Sequence, residues 1–138
     1  MKKLLLVAFV AAFAFCTTSC KKDTLKDTLW KCETTEVFDM EGIGITLNIN
    51  STITFSTEAE GEIYLHLIAN VAGFGELLNE ESTDKMTYTY ADGAGTITIA
   101  AESADDTDDV INFTVDGDKL TIVEDIEGTP ITMIYTKQ

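Results

Sequence analysis

The residues able to do chemistry are few. Three cysteines, one histidine and 24 acidic side chains are spread over 138 residues, and arginine is absent. Cysteine catalysis needs a thiolate, and a thiolate needs a histidine or a basic cluster beside it to lower its pKa. Cys32, in "LWKCETTEVF", has neither in its neighbourhood. It reads as a small buried apolar side chain near Trp30. His66 sits in "EIYLHLIA", sharing a face with Tyr64 and Ile68. A general base needs a partner within reach of its proton, and no Gly-x-Ser-x-Gly stretch offers a nucleophile, so His66 reads as a wall histidine. One histidine and one free cysteine fall short of a zinc set of about four ligands. Asp105, Asp106, Asp108 and Asp109, with Glu102, could gather oxygens for calcium. Their spacing does not match the Asp-x-Asp-x-Asp-Gly loop, and a solvated acidic loop is the expectation. Paired carboxylates can cleave glycosides, but with 24 acids such pairs are inevitable and uninformative. We expect no enzyme, no cofactor and no metal site.

The two remaining cysteines lie in "AFAFCTTSCKKD". Lys2 and Lys3 precede an unbroken apolar run, Leu4 to Phe15. That run is too short to span a bilayer, which takes roughly 20 residues, and has the length of an export-signal core. Cleavage wants small side chains before the cut. Bulky Phe15 precedes Cys16, whereas Thr17, Thr18 and Ser19 precede Cys20. "TTSCKKD" resembles the processing box of bacterial lipoproteins, in a style similar to those of Bacteroidetes. The resemblance implies that residues 1–19 are a signal peptide and that Cys20 is the lipidated first residue of an outer-membrane lipoprotein. Residues 20–29 are then a polar tether and residues 30–138 the folded domain. Three acyl chains hold firmly where a single chain is marginal. Cys16 leaves with the signal.

Residues 20–138 carry all 24 acids against seven lysines, a net charge of −17. Nucleic acid is excluded as a partner, because phosphate backbones are bound by concentrated positive charge. An anionic membrane surface would repel the chain, so the lipid must supply the attachment. The charge reads foremost as solubility, with a cationic or neutral ligand as the alternative.

The elements that would position a site are strands almost throughout. "GIGITLNINSTITF" places Ile43, Ile45, Leu47, Ile49, Ile53 and Phe55 on one parity, the period of a strand with one wet face. It is either one long strand or two joined at "NINS". The same alternation puts Ile63, Leu65 and Leu67 on one face, and likewise Met86, Tyr88 and Tyr90. Ile97 and Ile99, then Ile111, Phe113 and Val115, follow the rule, as do Leu120 with Ile122 and Ile131 with Met133 and Tyr135. Asp116-Gly117 is a favoured hairpin dipeptide. Residues 70–85 break the pattern and read as a closing connection or one more irregular strand. About eight antiparallel strands must hide their apolar faces together. Short sequential turns favour an all-β up-and-down barrel, which leaves no edges, over a two-sheet sandwich.

"LWKCE", "YTYADGAGTITI", "FTVDGDKLTIVE" and "GTPITMIYTK" are similar to small lipocalin-like domains of Bacteroidetes lipoproteins. The chain departs from the classical lipocalin pattern in lacking the Gly-x-Trp of the first strand, a disulfide pair and a base-closing arginine. The resemblance implies a ligand cavity for a small apolar or amphipathic molecule and transfers no catalytic residue. Tyr64, Tyr88 and Tyr90 are the expected lining, since buried hydroxyls need partners. The alternative is a solid core in a protein that contacts an envelope protein or surface glycan.

Overall fold

The computed structural model describes residues 24–126 and 128–138. Residues 1–19, read as a signal peptide, and Cys20 lie outside the described residues. Eight antiparallel strands close in chain order into one barrel. They are β1 (Thr28–Met40), β2 (Ile43–Phe55), β3 (Glu60–Val71), β4 (Gly75–Ala91), β5 (Ala94–Ile99), β6 (Asp109–Asp116), β7 (Lys119–Ile126) and β8 (Thr129–Lys137). The barrel, not the sandwich, is the solution adopted. Residues 43–55 form a single strand without a turn at "NINS".

Turn chemistry explains the sequential pairing. Glu41-Gly42 and Asp92-Gly93 both hold positive φ at their two residues (55° and 84°, 54° and 80°), the type I′ geometry whose twist matches a hairpin. The turn after β6 is displaced by one residue from its expected place. Asp116 still pairs with Lys119, so the loop is Gly117-Asp118, with Gly117 at φ 62°. A glycine in the first loop position suits the alternative two-residue turn. Residues 70–85 do not form a closing connection; the other expectation, an irregular strand, is the one adopted. They are the tip of a long hairpin, and β4 runs 17 residues. Ala69 pairs with Leu78 and Asn70 with Glu76, leaving Leu77 as the extra residue of a bulge.

The barrel is uneven in height. β2 has 13 residues and β5 has six, or about 43 Å against about 20 Å at 3.3 Å per residue. β5 pairs with β4 only from Thr87 to Ala91, so residues 75–86 of β4 have a neighbour on one side alone. The closing seam is shorter still, with Trp30 opposite Lys137 and Lys31 opposite Thr136. Gln138 N–H adds a bond to the Leu29 carbonyl at 2.9 Å. The ring of strands is therefore complete at one end and parted at the other.

Size of side chain follows the same axis. At the closed end Trp30, Phe55, Met86, Tyr88, Ile97, Phe113, Leu120 and Tyr135 form one buried cluster. Phe55 meets Tyr88 edge-on with centroids 4.6 Å apart, and Phe113 stacks on Tyr90 at 6.1 Å. Leu25 caps this end and is itself buried. Thr28 donates both its amide and its hydroxyl to the Leu25 carbonyl, while Trp30 Nε1 donates to Thr28 Oγ1 at 2.8 Å. Leu25 and Thr28, both within the stretch read as a tether, thus belong to the fold. Cys32 is 1% exposed within the cluster, the environment expected for a small apolar side chain.

The outer face of β2 has the opposite polarity to that of a membrane barrel. Outward positions of β2 are Thr46, Asn48, Asn50, Thr52 and Thr54, alternating with buried Leu47, Ile49, Ile53 and Phe55. Barrels that span a bilayer turn their apolar residues outward. No helix among the described residues is long and apolar enough to cross a membrane.

Candidate ligand cavity

Above the aromatic plug the inward apolar residues are aliphatic apart from Phe38, which packs against Leu47, Ile49 and Ile131, and they do not fill the barrel. Leu47, Ile49, Leu65 and Leu67 from β2 and β3 face Ile111, Ile122, Ile131 and Met133 from β6, β7 and β8 across a cavity of about 380 Å³. Eight strands give an interior just wide enough to be filled by large side chains. Aromatic rings reach across it and aliphatic chains of this length do not, so the hollow begins above the aromatic plug. A second hollow, between Leu65, Leu67, Glu80, Glu81 and Ser82, shares Leu65 and Leu67 with the first.

The floor of the cavity has one built polar feature, and Asp109 and Glu124 also line the cavity. Ser51, at 0% exposure, occupies an inward position of β2 between Ile49 and Ile53. Its Oγ donates to the Tyr64 carbonyl at 2.8 Å and accepts from Tyr135 Oη at 3.0 Å. Both Ser51 and Tyr135 line the cavity. The pair satisfies two hydroxyls in an apolar surrounding, where an unpaired one would cost about 1–3 kcal/mol. The phenol retains acceptor capacity toward a ligand.

The three tyrosines expected as lining are placed elsewhere. Tyr64 alternates with inward Ile63 and Leu65, and lies on the outer wall opposite Thr52 and Thr83. Its hydroxyl bonds the Glu81 carboxylate, which pushes its pKa up. Tyr88 points inward but into the closed end, where it donates to the Thr57 carbonyl at 2.6 Å. Tyr90 is inward too and stacks on Phe113 below the cavity. Parity of the strands excludes the first, and depth along the barrel separates the other two from the cavity. Ser51 escaped notice because "NINS" suggested a turn. Its odd position, in phase with Ile49 and Ile53, is the signal that identifies it.

The remaining candidates are accounted for locally. His66 is on the outer wall, 2.9 Å from Asn79 Oδ1. In the acidic loop Asp108 accepts from the Ala101 amide at 3.0 Å and Asp106 from Ser103 Oγ at 2.7 Å, so these carboxylates are engaged in holding the loop's own turns. No three His, Cys, Asp or Glu side chains converge on a metal position among the described residues.

Burial raises three groups in the closed half. Desolvation pushes the Cys32 thiol up, opposed by a backbone bond from Ile134, and pushes Tyr88 up. Tyr135 is pushed up to about 12 from the ordinary 10, mainly by burial, against the lowering effect of its Ser51 hydrogen bond. The folded state therefore keeps a proton that the unfolded state loses above pH 10. The stability tied to this proton is full below pH 10 and is lost as pH rises to about 12, an effect of ~2–3 kcal/mol. Tyr135→Phe should be about 1 kcal/mol less stable than wild type at pH 8, from the lost hydrogen bond. It should be equal or more stable at pH 12. Denaturant titrations at both values check this, and parallel declines for the two proteins would refute it.

Searches for a matching protein family, for similar characterised proteins and for similar solved structures found no match to this chain.

Proposed function

We propose that this protein is a lipid-anchored, non-enzymatic envelope protein of lipocalin-like type that holds a small apolar or amphipathic molecule in its barrel. The observation that carries this reading is the cavity: about 380 Å³, walled by aliphatic side chains and floored by the Ser51–Tyr135 hydroxyl pair. Ligand sites are concave, mostly apolar and supplied with a few placed polar groups. The polar pair is not a nucleophile with its base, since Ser51 Oγ donates to a backbone carbonyl.

An anchor at Cys20 fits this geometry. Three residues separate it from Thr24, a reach of up to about 14 Å, and Leu25 is fixed in the closed end. The plug then faces the outer membrane and the mouth points away from it. A ligand would enter from the aqueous side.

A second reading, contact with an envelope protein or surface glycan, is favoured by the apolar hairpin tips. Phe74 is 80% and Leu77 68% exposed, beside the exposed Met40 and Ile43. The two tips are held together by the Ala72 amide bonding the Gly44 carbonyl at 2.9 Å.

Photo-crosslinking of the full-length chain with a diazirine-bearing decanol separates the two. Peptide mapping should place the label on Leu47, Leu65, Ile131 or Met133. Label confined to Phe74 and Leu77 would overturn the cavity reading in favour of the second. The same spectra, taken on membrane-extracted protein, should show a chain beginning at Cys20 and carrying acyl mass; another start, or no acyl mass, would overturn the anchor.

A further inference from the structure

We infer that the cavity selects amphipathic cations, holding an ammonium head at its mouth and an alkyl or aryl body against its aliphatic wall. This rests on the proposed binding reading and adds the ligand's charge. The register decides which carboxylates face inward. Asp109 and Glu124 line the main cavity, Glu124 directly opposite buried Ile131. Glu80 pairs with Leu67 and lines the adjoining hollow. On the same parity Glu36 is opposite Leu47 and Asp84 opposite Ile63. Five acids thus stand on the inner face of the barrel's open half.

The cations of the described chain are all elsewhere. Lys31, Lys85 and Lys119 alternate outward with the inward residues Trp30, Met86 and Leu120. Lys137 lies at the closed end, 5.9 Å from the Trp30 ring centroid, and Lys26 adjoins the Leu25 cap. None of the five can neutralise the mouth. The carboxylates are also not spent on one another or on ion pairs, since the ion pair among the described residues is Lys31–Glu33 on the outer wall. The negative field reaches the floor, because Glu124 is among the charges that raise Tyr135.

A cleft lined by one sign of charge and walled by low-dielectric groups concentrates the opposite sign. An ammonium head would form charge-assisted bonds to Asp109 and Glu124. A carboxylate head would meet like charge with no compensating base among the described residues, and such juxtaposition discriminates strongly. The aliphatic wall then contributes with each methylene buried, whichever head is present.

The test compares three diazirine probes that share one ten-carbon chain and end in a primary ammonium, a hydroxyl or a carboxylate. Each is crosslinked to the full-length chain at equal concentration. Labelling of cavity residues should be at least about tenfold greater for the ammonium than for the carboxylate, with the hydroxyl between. The double variant Asp109→Asn, Glu124→Gln should bring the ammonium down to the hydroxyl level. Glu60→Gln with Glu62→Gln, the same charge change on exposed outward positions of β3, should leave the ammonium preference in place. Equal labelling by the three probes, a carboxylate preference, or loss of preference in the outer-wall variant would overturn the charge inference while leaving the cavity reading standing. Absence of cavity labelling by all three would overturn the binding reading itself.

Discussion

Gly95→Ala is expected to destabilise the barrel by about 3 kcal/mol, a fall in melting temperature of roughly 10–20 °C. Gly95 is in β5, opposite Tyr90 on one side and Phe113 on the other. A Cβ at this position would collide with the Thr89 carbonyl oxygen and with the Phe113 ring, both far inside van der Waals contact. Neither can move freely. The carbonyl belongs to the β4 backbone, and Thr89 and Thr96 are tied by a side-chain bond of 2.6 Å. The ring is 2% exposed and held between Phe55 and Tyr90. The absence of a side chain here lets the short wall coil inward over the aromatic plug. Gly44→Ala is the matched control. Its Cβ would make an ordinary 3.7 Å contact with Ala72, and its effect should stay within about 0.5 kcal/mol. Thermal melts of the two variants decide the matter. Equal small shifts would show that the plug yields, and the account of the closed end would be wrong.

Leu65→Trp should abolish cavity labelling by the neutral decanol probe, with a drop of at least about tenfold, while the fold is retained. Leu65 points into the cavity between Ser51 and Ser82 in the register, and both hollows border it. An indole there has room to enter, so this is filling of a void and not overpacking of a solid core. Far-UV circular dichroism should remain that of a β protein. Tyr64→Ala, one residue away on the same strand, should leave labelling unchanged because its side chain is on the outer wall. Persistent labelling in Leu65→Trp would place the ligand outside the barrel. Equal loss in both variants would point to general damage to β3.

The contrast between these neighbours shows how much of the site was legible. The period of two in "EIYLHLIA" already separates Leu65 from Tyr64, so the outward position of Tyr64 could be read from the same alternation that defines the strand. That parity overrides the suitability of a tyrosine hydroxyl for a lining. Ser51 was legible on the same rule, through its phase with Ile49 and Ile53, once "NINS" is taken as strand. Tyr88 and Tyr90 are a different case. Their inward direction follows from alternation with Thr87 and Thr89, but alternation carries no information about depth along the barrel axis.

By itself the sequence determined the class of fold and the faces of the strands. Alternation is a local property of the pleat, and two-residue turns such as Glu41-Gly42 and Asp92-Gly93 fix the partner of each strand through φ angles that few residues adopt. These are contacts within about a dozen residues, and local chemistry suffices to specify them. Only the tertiary structure decided that residues 75–86 of β4 extend past β5, that the aromatics gather at the seam end, and that the aliphatic half stays hollow. The overhang follows from the unequal lengths of β4 and β5, and the other two depend on the register between strands remote in sequence, such as Trp30 opposite Lys137. That register sets which inward side chains share a level. The same long-range choice brings Asp109 and Glu124 to one mouth, because the level of a side chain in a barrel is fixed by all the strands that close it.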